Sequence, residues 1–525
     1  MQKGPVLGIE GTAWNLSASV FDEDLVTLFS NAYKPPQGGI HPREAAQHHA
    51  QVMKEVVARA LEGVPSISGV AFSQGPGLGP CLRTTATAAR ALALGRGVPL
   101  VGVNHCVAHV EIGRFATGFN DPIVLYVSGA NTQVLGFLNR RYRIFGETLD
   151  IGLGNALDKF ARTMDLPHPG GPAIEALAAK GEPVALPYTV KGMDLAFSGI
   201  VSAAKEAKAP VGDVCAGLQE TAFAMCVEVT ERALAHAGKE EVILVGGVGA
   251  NRRLQQMVRE MCEDRGARFA VPEPRYLGDN GAMIAYTGRL MLASGRSLPI
   301  EESHIIPGYR ADDVEVTWRA PGEGMVIRHN VREDGTEEAR GAEAVVTIGK
   351  DAVEKRRCGK RYRVPSLDAR LIAERTRAES RIISQARRSG VPTPVIRDVT
   401  GDTLVMERVQ GPLLKEALTP GTVREAGRMV GRLHSAGIIH GDLTTSNIIV
   451  RGEGCVLIDF GLALVSSDVE ARGVDLHVFF QTLESTTADH AALQEAFTEG
   501  YAEEFPGYED VLAREREIEH RGRYL

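Results

Sequence analysis

The chain has 525 residues, of which 44% are hydrophobic and 24% charged, and its formal net charge is −8. Because a single hydrophobic core stops growing near ~250–300 residues, this length predicts at least two domains. The composition is typical of a soluble globular protein. The negative net charge excludes a global attraction to nucleic acid, so any RNA contact requires local basic patches.

The sequence also restricts the cellular compartment. The seven cysteines are scattered without a CxxC pair, which indicates reduced thiols. The first residues, MQKGPVLGIEGTAW, lack the long apolar core of a signal peptide, and no run reaches the ~20 apolar residues that a membrane span needs. We therefore expect a cytoplasmic protein without a membrane partner.

In chain order, the first predicted elements are strand-like apolar runs that each meet a small, glycine-rich turn. Val6–Gly11 returns through Asn15–Phe21, Ile123–Thr132 returns through Gln133–Phe137, and Val242–Asn251 leads into a helical pattern. Such turns let backbone N–H groups approach an anionic ligand closely. The two similar hairpins predict a duplicated α/β unit with its ligand between the halves.

The remaining patterns define helices and a domain boundary. Helical patterns cover Pro42–Leu61, Leu82–Gly95 and Arg252–Arg265. The composition changes over Tyr309–Ala342, which predicts an end strand followed by a linker. A new strand-rich pattern starts at Gly341–Ile348. We therefore predict a first domain at residues 1–325, a linker at 326–340 and a second domain at 341–525.

A pair of histidines is the first candidate site. His105 and His109 stand four residues apart in NHCVAHVE, so a helix places both imidazoles on one face. Neutral imidazole is a favoured ligand for zinc or iron, but the same spacing also occurs among polar residues on a helix surface. A metal site needs at least one further ligand, which the spacing does not identify.

Two peptidase classes are alternatives at this point. A metalloprotease of the HExxH type places a glutamate general base between its histidines, whereas Cys106, Val107 and Ala108 stand there in this chain. A cysteine peptidase would use Cys81 or Cys106 as its nucleophile. No G-x-S-x-G elbow offers a serine nucleophile.

Residues 8–286 carry a series of motifs in a fixed order. They are GIEGTAW, QGPGLGPCLRTT, NHCVAHVE, YVSGANTQV, DIGLGNALDKFAR, HPGGPAIE, LAFSGI, GGVGANRRL and GDNGAMIAY. Together they resemble the universal tRNA threonylcarbamoyladenosine transferase, the catalytic subunit of the archaeal and eukaryotic KEOPS complex. The resemblance implies an actin-like ATPase (duplicated ribonuclease-H-like) fold. It also implies transfer of a threonylcarbamoyl group from threonylcarbamoyl-AMP to N6 of the adenosine next to the anticodon of ANN-decoding tRNAs.

The resemblance further implies that one divalent metal is bound by His105, His109, Tyr126 and Asp279. Iron is the metal that the resemblance favours, and zinc or magnesium is also compatible with imidazole, phenolate and carboxylate ligands. Taken alone, Tyr126 is typical of a strand core and Asp279 of a turn. Only the family pattern identifies these two as ligands.

The adenylate is implied to bind along one loop and at several more distant residues. These are Tyr126, Val127, Ser128, Gly129, Ala130, Asp158, Gly171, Glu175 and Asn251. Ionised carboxylates suit ribose hydroxyls because they only accept hydrogen bonds. The sequence departs from the family pattern at Ala130, where a second glycine is usual, and at Gly249 in GGVGAN. The extra methyl at Ala130 could crowd the phosphate or the adenylate.

The second half carries IIHGDLTTSNIIV followed by VLIDFGLA. The spacing of Asp442, Asn447 and Asp459 matches a kinase catalytic loop and DFG segment. In that arrangement one Asp orients the nucleophile, while the Asn and the second Asp hold magnesium. HGD replaces the usual HRD, and no APE motif follows. Control by activation-loop phosphorylation and a usual peptide-docking platform are therefore not expected.

Other features of a kinase are weaker. Lys355 in AVEKRR is the predicted phosphate-binding lysine, and Glu379 is its predicted partner on the next helix. The glycine-rich loop is degenerate, because GAEAVVTIG has no GxGxxG, so Ile348 and Gly349 are assigned to ATP by position. Lys350–Arg388 holds 13 Lys or Arg against 5 Asp or Glu. This excess, with the closing RGRYL, fits either a solvated helix face or contact with a phosphate backbone.

GAEAVV, HGDLTTSN, LIDFGLA and RGVDL in residues 341–525 resemble the small atypical Ser/Thr kinase or ATPase subunit of KEOPS. The resemblance implies a minimal two-lobed protein-kinase-like fold that uses ATP and Mg²⁺, with Asp442 as the catalytic residue. The whole chain is similar to archaeal fusions of the two subunits, which implies tRNA and other KEOPS subunits as partners. A nucleotide-regulated scaffold with degraded sites is the remaining alternative, and intact Asp442, Asn447 and Asp459 disfavour it.

Overall fold

A computed structural model of the chain describes residues 4–35, 39–138, 140–319, 330–331, 337–487 and 489–524. The chain divides into two compact units, Met1–Val326 and Ile327–Tyr524. No helix among the described residues is both long and apolar enough to span a bilayer.

The first half of the first unit is a mixed five-stranded sheet with helices. Its elements are β1 (Val6–Glu10), β2 (Asn15–Phe21), β3 (Leu25–Ala32), α1 (Pro42–Ala60), β4 (Gly69–Gly75), α2 (Gly79–Arg96), β5 (Leu100–Asn104) and α3 (His105–Thr117). The strand order is β3-β2-β1-β4-β5. β1 pairs antiparallel with β2 and parallel with β4, so the predicted first hairpin is confirmed.

The second half repeats this arrangement. Its elements are β6 (Ile123–Val127), β7 (Thr132–Leu138), β8 (Arg141–Glu147), α4 (Leu153–Thr163), α5 (Gly170–Ala178), β9 (Val190–Lys191), β10 (Asp194–Leu195), α6 (Ser198–Glu206), α7 (Val211–Ala237), β11 (Glu241–Val245), α8 (Arg252–Arg265), β12 (Arg268–Ala270), α9 (Pro274–Leu277) and α10 (Gly281–Ala293). The strand order β12-β11-β6-β7-β8 has the same antiparallel and parallel pairings as the first sheet. The duplicated α/β unit predicted from the two hairpins is therefore confirmed.

Close packing joins the first sheet to α10. The residues of β1 and β4 are all buried, as expected for central strands covered on both faces. At Gly8 a Cβ atom would lie 2.2 Å from the backbone nitrogen of Ala285, so only glycine permits this approach. The packing fixes the start of α10, and the candidate metal ligand Asp279 lies two residues before that start.

The second unit has a sheet lobe and a helical lobe. Its elements are β13 (Asn330–Val331), β14 (Glu337–Arg340), β15 (Ala344–Ile348), β16 (Ala352–Arg357), α11 (Pro365–Arg388), β17 (Ile396–Val399), β18 (Thr403–Glu407), α12 (Pro420–Ser435), β19 (Ile438–Ile439), β20 (Ile448–Arg451), β21 (Gly454–Leu457), β22 (Leu464–Val465), α13 (Val469–Thr486), α14 (His490–Glu504) and α15 (Tyr508–Tyr524). The large sheet has the order β13-β14-β15-β16-β18-β17, and β19-β22 and β20-β21 form small ribbons. Short 3-10 helices lie at Gly247–Ala250, Ile300–Glu302 and Leu414–Glu416.

The region around the predicted linker differs in part from the expectation. The end strand predicted after Tyr309 is wrong, because residues 309–319 form no strand. Val316 N donates one hydrogen bond to Arg140 O, and Val314 and Val316 are buried, so the segment packs through its side chains. Within the predicted linker 326–340, β13 and β14 pair with the sheet of the second unit. Residues 326–329 and 332–336 lie outside the described residues.

Candidate functional site

The two histidines are positioned by the junction of β5 and α3. β5 ends at Asn104, whose side-chain oxygen accepts a hydrogen bond of 3.0 Å from Val107 N and so caps α3. The helix then places His105 and His109 on one face, and both are buried. Asn280 caps α10 in the same way through Met283 N, which fixes the neighbouring Asp279.

Three ionisable candidate ligands converge there. The ligand atoms of His105, His109 and Asp279 all lie within 4.8 Å of one another. Asp279 Oδ1 lies 3.5 Å from His105 Nε2 and 3.3 Å from His109 Nε2. The structure therefore brings together side chains that are separated by up to 174 positions in the sequence numbering (from 105 to 279).

Tyr126, the fourth predicted ligand, lies beside this group. Its ring centroid is 5.0 Å from that of His109. Its hydroxyl is buried and forms no hydrogen bond with the described part of the chain, although Ser128 and Asn131 are near. Burial, with Cys106 and Asp279, raises the pKa of Tyr126 well above its usual value. A buried hydroxyl without a partner, beside two imidazoles and a carboxylate, fits an N/O ligand set for a divalent cation.

The charges of this centre are coupled. Burial opposes the charged form of His105, but Glu10 and Asp279 outweigh it and raise the pKa of His105 to about 9. Burial lowers the pKa of His109. Burial would raise the pKa of Asp279, but His105 and the hydrogen bond from His109 hold it below its usual value. At neutral pH His105 therefore carries a proton that a divalent cation would displace.

Glu10 is a further residue of this centre to which the sequence analysis gave no role. Its Oε2 lies 3.1 Å from His105 Nδ1, and its Oε1 accepts hydrogen bonds from the backbone and hydroxyl of Thr12. This contact leaves His105 Nε2 directed at Asp279, as in carboxylate–histidine–metal arrangements. The only available signal was the acidic residue within GIEGTAW, which spacing alone does not connect to His105.

The cysteines do not support a peptidase. Cys81 and Cys106 are buried, and burial raises the pKa of Cys81 to about 11 and that of Cys106 to about 12. A reactive cysteine needs a lowered pKa and some exposure, so these thiols are unsuited to nucleophilic attack.

The predicted adenylate loop follows β6 directly after Tyr126 and Val127. Ser128 O and Gly129 O accept hydrogen bonds from Gly154 N and Asn155 N, which places the loop against the first turn of α4. Ala130 is exposed, so its methyl group does not crowd the protein interior. The start of a helix carries a partial positive charge that favours phosphate.

The other predicted adenylate residues occupy or contact the beginnings of α5 and α8. Asp158 Oδ1 accepts from Gly170 N at 2.7 Å, and Glu175 Oε1 accepts from Arg252 N at 2.8 Å. Asn251 caps α8 through the backbone nitrogens of two residues that follow it and donates to Gln219. A Cβ at Gly171 would meet no atom within 4 Å. Glu175 and Asn251 thus meet at the start of α8, and the side chain of Asp158, which belongs to α4, contacts the start of α5.

In the second unit, Lys355 forms the centre of an ionic cluster. Its Nζ donates to Glu379 Oε1 at 2.7 Å and to Asp459 Oδ1 at 2.6 Å. Burial opposes the charge, but Asp459 and Glu379 outweigh it and raise the pKa of Lys355, while Lys355 lowers that of Asp459. Arg357 also donates to Glu379, at 2.7 Å from its Oε2. These contacts match the lysine–glutamate pair that an assembled kinase site requires.

The catalytic-loop residues form a second cluster. Asn447 Nδ2 donates to Asp442 Oδ2 at 3.0 Å. The buried Asp475 of RGVDL accepts hydrogen bonds from His440 N and Gly441 N and so fixes the loop backbone before Asp442. The sequence analysis gave Asp475 no role of its own, although its motif was part of the resemblance.

Ile348 and Gly349 lie at the turn between β15 and β16. Gly349 N donates to Ala352 O, and Gly349 O accepts from Arg408. In the strand register Lys355 is opposite Val346, whereas Ile348 is opposite Val353. Ile348 therefore lies two residue pairs along the hairpin from Lys355, and the assignment of Ile348 and Gly349 to ATP stays a prediction.

The chain is a two-part enzyme. Its duplicated actin-like unit carries a buried histidine–carboxylate cluster, and its kinase-like unit carries a lysine–glutamate–aspartate cluster. The family model for tRNA N6-adenosine threonylcarbamoyltransferase matches residues 25–286, and the model for the RIO domain matches residues 350–474. These matches confirm the fold class expected from the sequence.

Similar proteins extend over the whole chain. A probable bifunctional tRNA threonylcarbamoyladenosine biosynthesis protein of Methanoculleus marisnigri is 72% identical over 99% of this chain and 98% of its own. Proteins with the same description from Methanospirillum hungatei and Halobacterium salinarum are 65% and 50% identical, over 100% and 99% of this chain and 100% and 98% of their own. The chain belongs to the family of bifunctional tRNA threonylcarbamoyladenosine biosynthesis proteins, as the resemblance implied, and the peptidase and scaffold alternatives are not favoured.

Proposed function

We propose that the first unit transfers the threonylcarbamoyl group from threonylcarbamoyl-AMP to N6 of the adenosine next to the anticodon in ANN-decoding tRNAs. The observation that supports this most is the convergence of His105, His109, Tyr126 and Asp279 in one buried centre. Tyr126 is also only two residues from Ser128, so the centre adjoins the loop assigned to the adenylate.

We assign one divalent metal, iron by resemblance, to His105, His109, Tyr126 and Asp279. When bound, such a cation supplies Lewis-acid polarisation of a carbonyl or phosphate oxygen. The chain's own part is to orient the ligands, because Glu10 fixes His105 and Asn280 fixes the turn that holds Asp279. Measuring anomalous scattering at the iron and zinc absorption edges of a crystal identifies the metal.

For the adenylate, we propose that the loop Ser128–Ala130 receives the phosphate. Hydrogen bonds hold this loop at the start of α4, where the helix dipole favours an anion. Asp158, Glu175 and Asn251, with the open Gly171, are assigned to the sugar and base. Each of the two carboxylates accepts from a backbone N–H with one oxygen. The second oxygen of Asp158 lies 3.5 Å from His168 Nδ1, and an ionised carboxylate oxygen has the capacity to accept from a ribose hydroxyl as well.

For the second unit, we propose an ATP- and Mg²⁺-dependent kinase or ATPase that supports or regulates the transfer. Lys355, held by Glu379, contacts the ATP phosphates, and Asn447 and Asp459 hold magnesium. Asp442 orients the attacking hydroxyl or water. The contacts of Asp475 with the loop backbone keep Asp442 in place for this role.

We further propose that the transferase domain spans residues 1–325, and that the kinase-like domain comprises residues 341–525 together with β13 and β14 of the predicted linker, which pair with its sheet. We also propose that the chain binds tRNA and other KEOPS subunits, and that it acts in the cytoplasm.

The transfer is tested with the purified full-length chain, threonylcarbamoyl-AMP and an ANN-decoding tRNA. Mass spectrometry of the digested tRNA should show threonylcarbamoyladenosine, and His105→Ala should abolish the product because it removes one of the proposed ligands. Absence of the product with the unmodified chain, even after other KEOPS subunits are added, contradicts the proposal.

Measuring ATP hydrolysis distinguishes the activity of the second unit from that of the first. We expect Asp459→Ala to abolish hydrolysis, because it removes a proposed magnesium ligand and a partner of Lys355. His105→Ala, which changes the other unit, should leave hydrolysis at the level of the unmodified chain when tRNA is absent. Hydrolysis that survives Asp459→Ala would exclude the second unit as its source.

A further inference from the structure

The turn between β1 and β2 borders the metal centre on two sides. Thr12 Oγ1 lies 3.4 Å from His105 Nδ1, and Asn15 Nδ2 donates to Asp279 O at 2.7 Å. Trp14 stands between these two contacts in the chain. Since consecutive Cα atoms are ~3.8 Å apart, its backbone lies within about 8 Å of both anchoring residues.

This turn is fixed, and its tryptophan is exposed. Trp14 O accepts a hydrogen bond from Tyr33 N, and Thr12 O accepts one from Leu78 N, both 2.8 Å. The indole is 45% exposed, whereas Thr12 and Asn15 are 3% and 9% exposed. A large aromatic ring is therefore exposed to solvent on a turn that hydrogen bonds fix, and it contributes little to the core.

Cations flank the same turn. Lys34 follows Tyr33, the residue that bonds to Trp14 O, and Arg83 lies one turn into α2, just after Leu78. Both side chains are exposed, and neither forms an ion pair with another described residue. A Cβ at Gly79 would lie 3.8 Å from Arg83 Nη2, so the guanidinium folds back toward the start of α2, where Leu78 N bonds to Thr12 O.

We propose that Trp14 stacks on a nucleobase of the tRNA anticodon loop, while Lys34 and Arg83 contact the adjoining phosphates. Single-stranded RNA is recognised through exposed bases that stack on aromatic side chains and through cations along the backbone. Because this turn contacts His105 and Asp279, an acceptor adenosine bound at the metal centre would bring its neighbouring nucleotides close to the turn. The inference rests on the proposed transferase function and assigns it a substrate-binding residue.

The first test measures binding of a synthetic anticodon stem-loop RNA to the full-length chain. We expect Trp14→Ala to raise the Kd about 5- to 150-fold, because stacking on one base is worth ~1–3 kcal/mol, and Trp14→Phe to retain most of the affinity. Leu94→Ala, which removes an exposed apolar side chain at the far end of α2, is the matched control and should leave the Kd unchanged. Lys34→Ala and Arg83→Ala should each reduce the dependence of log Kd on log salt by about 0.7.

The second test uses the fact that the chain has only two tryptophans, Trp14 and Trp318. In a Trp318→Phe variant only Trp14 emits, and the RNA should quench this fluorescence on binding. Unchanged emission together with an unchanged Kd in Trp14→Ala would overturn the proposal and leave the exposed indole as a surface for a protein partner.

Steady-state transfer assays separate this inference from the proposed function. If Trp14→Ala raises KM for tRNA more than it lowers kcat, the result supports both the stacking role and the transferase function. If Trp14→Ala transfers with unchanged KM, the stacking role is wrong and the transferase function remains. If the unmodified chain binds RNA with quenching but never transfers the group, the proposed function is wrong and the stacking role remains.

Discussion

At the scale of single residues, Glu10 shows how a side chain outside the proposed ligand set can orient a residue of the candidate metal centre. Its carboxylate contacts His105 Nδ1 at 3.1 Å and leaves Nε2 directed at Asp279. We expect Glu10→Gln to weaken metal binding about 10- to 100-fold, because a neutral amide holds the imidazole less firmly in this orientation. Chelator competition with Zn²⁺ measures the affinity, and Glu55→Gln, on the exposed face of α1, is the control. Equal affinities in both variants would contradict a positioning role.

His49 is a second buried residue with a measurable consequence. It is fully buried, and burial, with some contribution from His48, lowers its pKa to about 4. The folded state therefore favours neutral His49, so its contribution to stability is complete above the unfolded pKa of ~6.5 and is lost as the pH falls from there towards 4. The slope in that window is about 1.4 kcal/mol per pH unit.

We expect His49→Leu to make the free energy of unfolding less dependent on pH between 6.5 and 5. Denaturant unfolding at several pH values measures this dependence. His304→Gln, which replaces an exposed histidine, should keep the slope of the unmodified chain. A His49→Leu slope equal to that of the unmodified chain would show that His49 is not held neutral by the fold.

At the scale of elements, local sequence patterns predicted individual hairpins and helices correctly. The hairpins at β1–β2 and β6–β7 and the helix Arg252–Arg265 follow from runs of apolar residues and glycine-rich turns. Residues 309–319 show the limit of such patterns. Val314, Val316 and Trp318 alternate like a strand and face the core, but no neighbouring strand pairs with them. Side-chain alternation reports which residues are buried, whereas strand formation also requires a hydrogen-bonding partner.

The candidate sites show the same limit over longer distances. Helical spacing alone predicted that His105 and His109 share a face, but Tyr126 and Asp279 needed the family resemblance. The Glu10–His105 contact joins residues 95 positions apart, and it depends on the pairing of whole strands. No local pattern encodes such a contact, so it became visible only in the folded chain.

The packing of β1 on α10 makes a prediction about these elements. Gly8→Ala would place a Cβ 2.2 Å from Ala285 N, so the helix or the strand has to move. We expect a loss of about 1–3 kcal/mol in the free energy of unfolding. Gly199→Ala, in α6 with no atom within 4 Å of the new methyl, should be neutral or slightly stabilising. Thermal unfolding of both variants tests whether close packing, and not loss of glycine itself, is responsible.

At the scale of the whole molecule, one chain carries two units with different chemistries, and each unit has its own hydrophobic core. Four clusters of buried residues lie entirely within the first unit, and one large cluster around α12 and α14 lies within the second. Both tryptophans, Trp14 and Trp318, belong to the first unit. Tryptophan fluorescence therefore reports unfolding of the transferase unit, whereas helical circular dichroism reports both units.

This difference gives a test of which unit binds which ligand. A ligand that binds only the folded state at 100 times its Kd stabilises that state by about 2.7 kcal/mol. We expect Mg²⁺–ADP to shift the circular-dichroism transition more than the fluorescence transition, and Asp459→Ala to remove that shift. Removing the metal with a chelator should lower the fluorescence transition, and this effect should be absent in His105→Ala. A nucleotide shift that is larger in fluorescence, or that survives Asp459→Ala, would place the main nucleotide site outside the kinase-like unit.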